Sequence, residues 1–346
     1  MRKFQIAVIP GDGVGTEVTA EAMRVLDRVA QLEYQVFDWG AEYYLRHGRM
    51  MPADALDQLQ KTGAILLGAI GHPDIPDHIT LNGLLLPIRR GFDQYANVRP
   101  AVLYPGVASP LAHPGTVDMV VVRENTEGEY AQVGGFLYHH QPDEVAIQTA
   151  VFTRRGIERV VRHAFELARR RNGKRRVTSI TKSNAQGFGM VLWDRAFASV
   201  AAEFPDIETE SLLVDAAAMN FVRRPASFDV VVGSNLFGDI LSDLSAILTG
   251  SIGLAPSANL DPTRRYPSMF EPVHGSAPDI AGRGIVNPLA AILSASMMLD
   301  HLGLEDAGRS VERAVAAVLA EGRVRTPDLS GTSSTREVTD AVLAKL

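Results

Sequence analysis

The segment FQIAVIPGDGVGTEV, residues 4–18, joins an apolar run to three glycines and the start of a helical pattern. A strand that leads through a turn into a helix is typical of α/β proteins. The dinucleotide fingerprint of Rossmann folds requires the spacing G-x-G-x-x-G. Here the glycines are Gly11, Gly13 and Gly15, so the third comes one residue early. We therefore interpret the segment as a tight strand-to-helix turn near a cleft, and expect any nucleotide site elsewhere in the chain.

The alternation of strand-like and helix-like segments continues along the chain. Strands are predicted at 4–9, 34–37, 64–67, 118–122, 176–181, 208–214 and 229–232, and helices at 16–30, 52–60, 153–171 and 186–204. This order predicts an α/β fold with a partly parallel sheet. Residues 134–149 break the alternation, because two strand-like runs flank a turn signal at 141–144. A two-stranded ribbon is marginally stable alone, so we expect an arm that pairs with a partner chain.

Composition excludes several classes of protein. The chain has 346 residues, 46% of them apolar, no cysteine and a formal net charge of −6. The length predicts about two domains, and the lack of cysteine excludes disulfides and fits a cytoplasmic location. The negative charge argues against nucleic acid as a partner. The longest apolar stretch, residues 288–299, is shorter than the roughly 20 residues that span a bilayer. We therefore expect a helix buried between layers or at a subunit interface, and no membrane partner.

The segment SNLFGDILSDL, residues 234–244, is a candidate metal site. Asp239 and Asp243 are four residues apart, so a helix would carry both on one face. Oxygen ligands suit Mg²⁺ or Mn²⁺. The alternative is a solvated helix face with acids near its N-terminus. Apolar neighbours predict a largely buried helix and favour the metal site.

Three arginines, Arg89, Arg99 and Arg123, occupy predicted strand-turn settings. Guanidinium groups bind carboxylates through paired hydrogen bonds. The three residues are therefore either a clamp for a small polycarboxylate or three separate structural ion pairs.

Three further polar residues have both a functional and a structural interpretation. Lys182 directly follows an apolar strand, a position from which it can enter a cleft. Tyr130 lies seven residues after Arg123 and is either a catalytic phenol or a structural one. Asp215 ends a predicted strand and is either a helix N-cap or a ligand.

The segment EPVHGSAPDIAGRGIVNP, residues 271–288, is a candidate nucleotide loop. Gly275, Ser276 and Ala277 are predicted to open a helix whose free N–H groups would hold a phosphate. Asp279 lies just beyond, where an acid can bind ribose hydroxyls and repel a 2′-phosphate.

Together these stretches resemble one family, the metal-dependent β-decarboxylating dehydrogenases, which include isocitrate, isopropylmalate, homoisocitrate, D-malate and tartrate dehydrogenases. The motifs are NVRP at 97–100, RENTEGEY at 123–130, TKSN at 181–184, VDAAAM at 214–219, NLFGDILSD at 235–243 and the segment 271–288. The resemblance implies an isocitrate/isopropylmalate dehydrogenase-like fold of three layers and two domains, which is not a Rossmann fold and has a protruding β-hairpin arm. It implies a large NAD-binding domain of residues 1–98 and 252–346. Residues 99–251 would form a small domain with the arm at about 133–149 and the dimer-interface helices.

The resemblance also implies a role for each candidate residue. The substrate would contact Leu85, Arg89, Arg99 and Arg123; Tyr130 and Lys182 would be catalytic; Asp215, Asp239 and Asp243 would bind Mg²⁺ or Mn²⁺; and NAD would contact His274, Gly275, Ser276, Ala277, Asp279 and Asn287. Asp279 matches the acid that selects NAD over NADP. Lys182 and Asp215 would come from a neighbouring subunit, which implies a homodimer with shared sites. A need for a monovalent cation such as K⁺ stays open.

Substrate choice is read from residues 78–90. Gly83 and Leu85 stand where isocitrate enzymes carry serine and asparagine, which disfavours isocitrate. RENTEGEY and PDHITL most resemble the D-malate and tartrate branch, although Asn82 stands where that branch is expected to have tryptophan. We predict oxidative decarboxylation of D-malate or tartrate, a hydroxy dicarboxylate substrate. The alternatives are 3-isopropylmalate, which Leu85 would tolerate, or 3-alkylmalates more broadly, and, in a different class, a metal-dependent hydrolase.

Overall fold

The computed structural model describes residues 4–346, and its centre is a mixed sheet of ten strands. In chain order the strands are β1 (Phe4–Gly11), β2 (Leu32–Val36), β3 (Ala64–Ala69), β4 (Ala96–Val102), β5 (Asp118–Glu124), β6 (Gly128–Leu137), β7 (Val145–Val151), β8 (Arg176–Thr181), β9 (Glu208–Leu213), β10 (Val230–Gly233), β11 (Pro256–Leu260) and β12 (Ser268–Pro272). The sheet order is β2-β1-β3-β12-β11-β4-β5-β10-β8-β9. Neighbours are parallel except around β4 and β11, which pair antiparallel with each other, with β5 and with β12. The predicted α/β fold with a partly parallel sheet is confirmed.

The helices cover both faces of the sheet. They are α1 (Gly15–Val29), α2 (Ala41–His47), α3 (Ala55–Leu59), α4 (Asp77–Thr80), α5 (Leu86–Gly91), α6 (Arg154–Arg171), α7 (Gly189–Ala201), α8 (Val214–Arg223), α9 (Asn235–Leu248), α10 (Leu289–His301), α11 (Glu305–Glu321) and α12 (Thr335–Leu343). A π-helical turn over Leu81–Leu85 joins α4 to α5. Such turns frequently lie at functional sites.

The apolar stretch at 288–299 becomes α10, of which ten of 13 residues are buried. The helix packs against β11 and β12 on one side and against α1 and α11 on the other. The prediction of a helix buried between layers is therefore confirmed. In the part of the chain that the structure describes, no helix is long and apolar enough to cross a membrane.

Three buried apolar clusters form the core. One cluster consists of residues between 95 and 248. Each of the other two combines residues from both ends of the chain, within 6–92 and 254–342. The predicted division into domains at 98–99 and 251–252 stays a prediction. Sequence periodicity missed β4, β11 and β12, and the helix predicted at 52–60 is only the short α3.

The predicted arm is present as the antiparallel pair β6 and β7, which forms a separate two-stranded sheet. Its strands carry exposed apolar side chains, such as Phe136 at 60% and Ile147 at 54% exposure. The chain's own core therefore does not cover the arm.

Candidate active site

The glycine-rich turn after β1 packs against the loop at 274–287. A Cβ at Gly13 would come within 2.1 Å of the Ser276 carbonyl oxygen, and the Val14 amide donates to that oxygen at 2.9 Å. Only glycine permits this approach, and its φ of +52° also favours glycine. The turn thus contacts the loop at 274–287. It lies between β1 and α1, so its interpretation as a strand-to-helix turn is confirmed.

The centre of the candidate site is Asp239 on α9. Tyr130 donates its hydroxyl to Asp239 Oδ2 at 2.8 Å, and Arg123 forms an ion pair with Oδ1. Arg99 Nη1 lies 3.3 Å from Oδ1 of both Asp239 and Asp243. Arg99 and Arg123 stand on the paired strands β4 and β5, which place both guanidinium groups under α9. The helix predicted to carry both aspartates on one face is confirmed.

Burial and neighbouring charges together set the pKa values of the side chains in this cluster. Burial by itself would raise the pKa of Asp239, but the guanidinium groups of Arg123 and Arg99 hold it below the ordinary value. Burial raises the pKa of Asp243, although Arg99 opposes this. Burial and the neighbouring Asp239 carboxylate raise the pKa of Tyr130. Near neutral pH the tyrosine is therefore protonated and able to donate a proton.

The prediction of a strand-turn setting is correct for Arg99 and Arg123 but wrong for Arg89, which lies on helix α5. The run of leucines and proline before Arg89 forms helical turns, because Pro87 at a helix start fits its fixed φ. Arg89 Nη2 lies 2.7 Å from Glu271 Oε1, and both side chains are buried. Sequence reasoning missed Glu271, although it lies within the segment that was singled out.

A cavity of about 450 Å³ opens between these arginines and β12. Arg89 and Arg99 both line it, and the Nε atom of each is buried without a hydrogen-bond acceptor among residues 4–346. Guanidinium groups bind carboxylates through paired hydrogen bonds, so these two arginines make the cavity suitable for a ligand with carboxylate oxygens.

The predicted specificity segment forms one wall of this cavity. Leu81 and Leu85 give an apolar surface, while Asp77 and His78 add polar groups that sequence reasoning missed. A side chain at Gly83 would instead point at Met50, within 2.5 Å of its Cγ. Asn82 donates its amide to the His78 carbonyl at 2.6 Å.

Lys182 and Asp215 form a second group. Lys182 follows β8, Asp215 lies in the first turn of α8, and Nζ to Oδ1 measures 3.0 Å. The hydrogen bond from Lys182 lowers the pKa of Asp215. Asp215 is not an N-cap, since Leu213 holds that position. No hydrogen bond or ion pair within residues 4–346 joins this pair to Asp239.

The three predicted metal ligands therefore lie in two separate groups. Asp239 and Asp243 lie together, while Asp215 pairs with Lys182. Among the described residues there is no group of three or more side chains that could hold a metal ion.

The candidate nucleotide loop lines a second cavity of about 300 Å³, which is largely apolar. The prediction of a helix opening at Gly275 is wrong, because the next helix is α10 and Ala277 has a φ of +38°. Predicted residues that line this cavity are His274, Ala277 and Asn287, whereas Gly275 lines the first cavity and Ser276 and Asp279 line neither.

His274 lines both cavities and so marks their junction. Its Nε2 atom is buried without a partner in the described part of the chain, and burial lowers its pKa. Asn287 donates to Asp328 at 3.0 Å, and Ser251 donates to the same carboxylate oxygen at 2.6 Å. Asp328 and Ser251 had no signal in the motifs.

Helices α8 and α9 expose apolar side chains beside the candidate site. Met219 is 64% and Ile240 56% exposed, and Val222 and Ile247 are about half exposed. Contiguous exposed apolar surface marks an interaction site.

Comparison with known proteins assigns the family. The family model described as isocitrate/isopropylmalate dehydrogenase matches residues 5–342. A probable tartrate dehydrogenase/decarboxylase from Agrobacterium vitis is 52% identical, covering 99% of this chain and 96% of that protein. The D-malate dehydrogenase [decarboxylating] of Escherichia coli is 49% identical, covering 99% and 98%. The crystal structure of isocitrate dehydrogenase from Methylococcus capsulatus superposes with a TM-score of 0.91 at 37% identity, covering 99% of each chain. The chain therefore belongs to the isocitrate/isopropylmalate dehydrogenase family of oxidoreductases.

Proposed function

We propose that this protein oxidatively decarboxylates a small 2-hydroxy acid with a β-carboxylate, D-malate or tartrate, using NAD and a divalent cation. The observation that carries the proposal is the pair of buried arginines, Arg89 and Arg99, which line one cavity, with Arg99 also paired with Asp239. The names of the relatives from Agrobacterium vitis and Escherichia coli support the same reaction.

The residues present fit the two cofactors. Asp239 and Asp243 offer the oxygen ligands that Mg²⁺ and Mn²⁺ prefer, and Asp215 of a second copy would complete the set. The apolar cavity beside His274 and Asn287 suits an adenine ring. The exposed Asp279 would favour NAD by repelling a 2′-phosphate.

The proposed dimer explains the exposed apolar surface. The arm and helices α8 and α9 leave Phe136, Met219 and Ile240 uncovered in one copy. Pairing two copies along these elements would bury them and bring Lys182 and Asp215 of each copy to the other's cavity. We further infer that residues 99–251 act as the small domain, because nearly all members of one buried apolar cluster lie in this range.

In the proposed reaction, different residues bind the substrate, remove a proton and return a proton. Arg89, Arg99 and Arg123 bind the substrate carboxylates and fix the C2 hydroxyl beside Asp239. Asp239 and Asp243, with Asp215 of the second copy, would hold the divalent cation, which would supply Lewis-acid polarisation to the substrate, and bound NAD would be the hydride acceptor. Lys182 of the second copy takes the hydroxyl proton, directly or through water. Tyr130, whose raised pKa keeps it protonated, returns a proton to the enolate carbon after CO₂ leaves.

Two walls of the cavity favour different substrates. Asp77 and His78 offer polar partners for a second hydroxyl, as in tartrate, whereas Leu81 and Leu85 favour the second candidate, 3-isopropylmalate.

A rate panel with D-malate, tartrate, isocitrate and 3-isopropylmalate, with Mn²⁺ and NAD, tests the proposal. We expect the highest kcat/KM for D-malate or tartrate, with loss of activity in chelator and recovery on adding Mn²⁺. Absence of NADH formation with every acid, together with hydrolytic turnover, would instead support a metal-dependent hydrolase.

A further inference from the structure

The carboxylate of Glu17 holds the candidate nucleotide loop. Glu17 lies in the first turn of α1 and accepts the Gly282 amide on Oε1 at 2.7 Å and the Gly284 amide on Oε2 at 3.0 Å. Both glycines have positive φ, +75° and +63°, and an added Cβ would meet nothing within 4 Å. Conformation, and not space, therefore requires glycine at both positions.

These two amides form a small anion-binding concavity of the kind that often holds phosphate. Here the protein's own carboxylate fills it. The amides of Gly282 and Gly284 are therefore not free to hold a phosphate, and the Val14 amide of the early turn is likewise bound, to Ser276.

The position of this contact links it to the cofactor cavity. Ile280 and Ile285, on either side of the two glycines, both line the apolar cavity. Val14, three residues before Glu17, lines the same cavity. The start of α1 thus both forms part of the cavity wall and holds the loop that forms another part.

We infer that Glu17 is a positioning residue for dinucleotide binding. It acts on the cofactor through Gly282 and Gly284 and touches neither substrate nor metal. This role rests on the proposed NAD site, and it gives the opening motif GDGVGTE a function that its glycines alone do not explain.

Glu17→Ala, with Glu21→Ala as control, tests this role. Glu21 lies one turn further along α1 and pairs with Arg24 instead of the loop. We expect the KM for NAD and the Kd for NADH to rise about fivefold or more in Glu17→Ala, with kcat and the KM for D-malate within about twofold. Because the variant leaves the anion concavity empty, formate should restore NADH affinity, whereas chloride at equal ionic strength should not.

Several outcomes would overturn the role of Glu17. These are an unchanged KM for NAD, an equal rise for both substrates, or no effect of formate. If Glu17→Ala does not fold, the size-matched Glu17→Gln decides: it should weaken NADH binding without formate rescue, because the amide still fills the concavity. Failure of both variants to fold would make Glu17 purely structural. Wild-type protein that binds no NADH at all would instead defeat the proposed function.

Discussion

The cluster around Asp239 and the pair Lys182–Asp215 carry charges of the same proposed reaction, yet their surroundings differ. Only 3% of the Arg123 side chain and 30% of the Asp239 side chain is exposed. For Lys182 and Asp215 the exposed fractions are 26% and 61%. Asp239 contacts Arg99, Arg123 and Tyr130. Lys182 and Asp215 form an ion pair with each other. One chain therefore buries one of the two groups and presents the other at its surface.

This difference separates stability from activity. Removing one partner from a buried ion pair costs about 3–5 kcal/mol, because a charge is left uncompensated. An exposed pair contributes about 0–1 kcal/mol. Substitutions at Lys182 should therefore change activity without changing the fold, while substitutions at Arg123 or Asp239 should change both.

The largest expected effect is that of Lys182→Ala. Loss of a general base lowers kcat by about 10²–10⁴-fold, and the free energy of unfolding should change by about 1 kcal/mol or less. NADH binding should persist, because the proposed role of Lys182 is at the substrate hydroxyl and not at the nucleotide cavity beside His274 and Asn287. Steady-state rates, NADH titration and denaturant unfolding check these three points.

Lys345→Ala is the matched control, since Lys345 forms an ion pair with Glu321 at the surface far along the chain. It should keep full activity. A Lys182→Ala enzyme with wild-type turnover would remove the exposed pair from the proposed reaction.

The second prediction concerns mixtures of inactive Lys182→Ala and Asp239→Asn subunits. If each site takes Lys182 from a second copy, a hybrid dimer has one intact site. Random exchange in a two-fold symmetric dimer then restores about one quarter of wild-type activity. Activity should appear only after subunits have exchanged, which brief dilution or mild denaturant would promote.

Complementation separates a shared centre from a self-contained one. Full inactivity of a mixture whose hybrid dimers are demonstrated by native mass spectrometry would contradict sharing. Mixing two preparations of Lys182→Ala is the control and should recover nothing.

Much of this arrangement could be predicted from sequence because it is local. The spacing of Asp239 and Asp243 predicts one helix face, and the apolar runs before Arg123 and Lys182 predict strand ends. Helix α9 and strands β5 and β8 bear out these predictions.

The rest depends on contacts that no local pattern contains. Arg89 pairs with Glu271 across 182 positions of sequence, and its place on a helix follows from packing of α5 in the core. The loop at 275 fails to form a helix because its backbone is committed to Val14 and Glu17. The sequence predicts a largely buried α9, and eight of its 14 residues are buried; that Ile240 is one of the exposed residues is revealed only by the folded surface.

The third prediction changes a residue outside both groups. Asp279→Lys should shift the ratio of kcat/KM for NAD over NADP by about tenfold or more, since each 1.4 kcal/mol is a factor of ten. The KM for D-malate should stay the same if cofactor choice is independent of both groups. Asp306→Lys, at a fully exposed side chain, is the control, and an unchanged cofactor ratio in Asp279→Lys would exclude its role in selection.

The smallest expected effect concerns Glu129, which helps to hold the helix of the buried cluster in place. Glu129, directly before Tyr130, accepts the Ser234 hydroxyl at 2.8 Å and the Leu236 amide at 3.1 Å. Helix α9 has no cap from its own Ser234 side chain, so Glu129 caps it from the arm strand. The exposed pair has no such connection.

Glu129→Gln should therefore cost about 1 kcal/mol of stability, as for loss of a helix cap, and loosen the start of α9. Because α9 carries Asp239 and Asp243, we expect the apparent affinity for Mn²⁺ to fall by about threefold, which is less than 1 kcal/mol. NADH binding should not change. Glu144→Gln, which pairs with His139 at the far end of the arm, should alter neither quantity. Equal Mn²⁺ affinity in both variants would mean that contacts with the sheet alone position α9, and the contrast between a capped, buried cluster and an unsupported exposed pair would then rest on burial only.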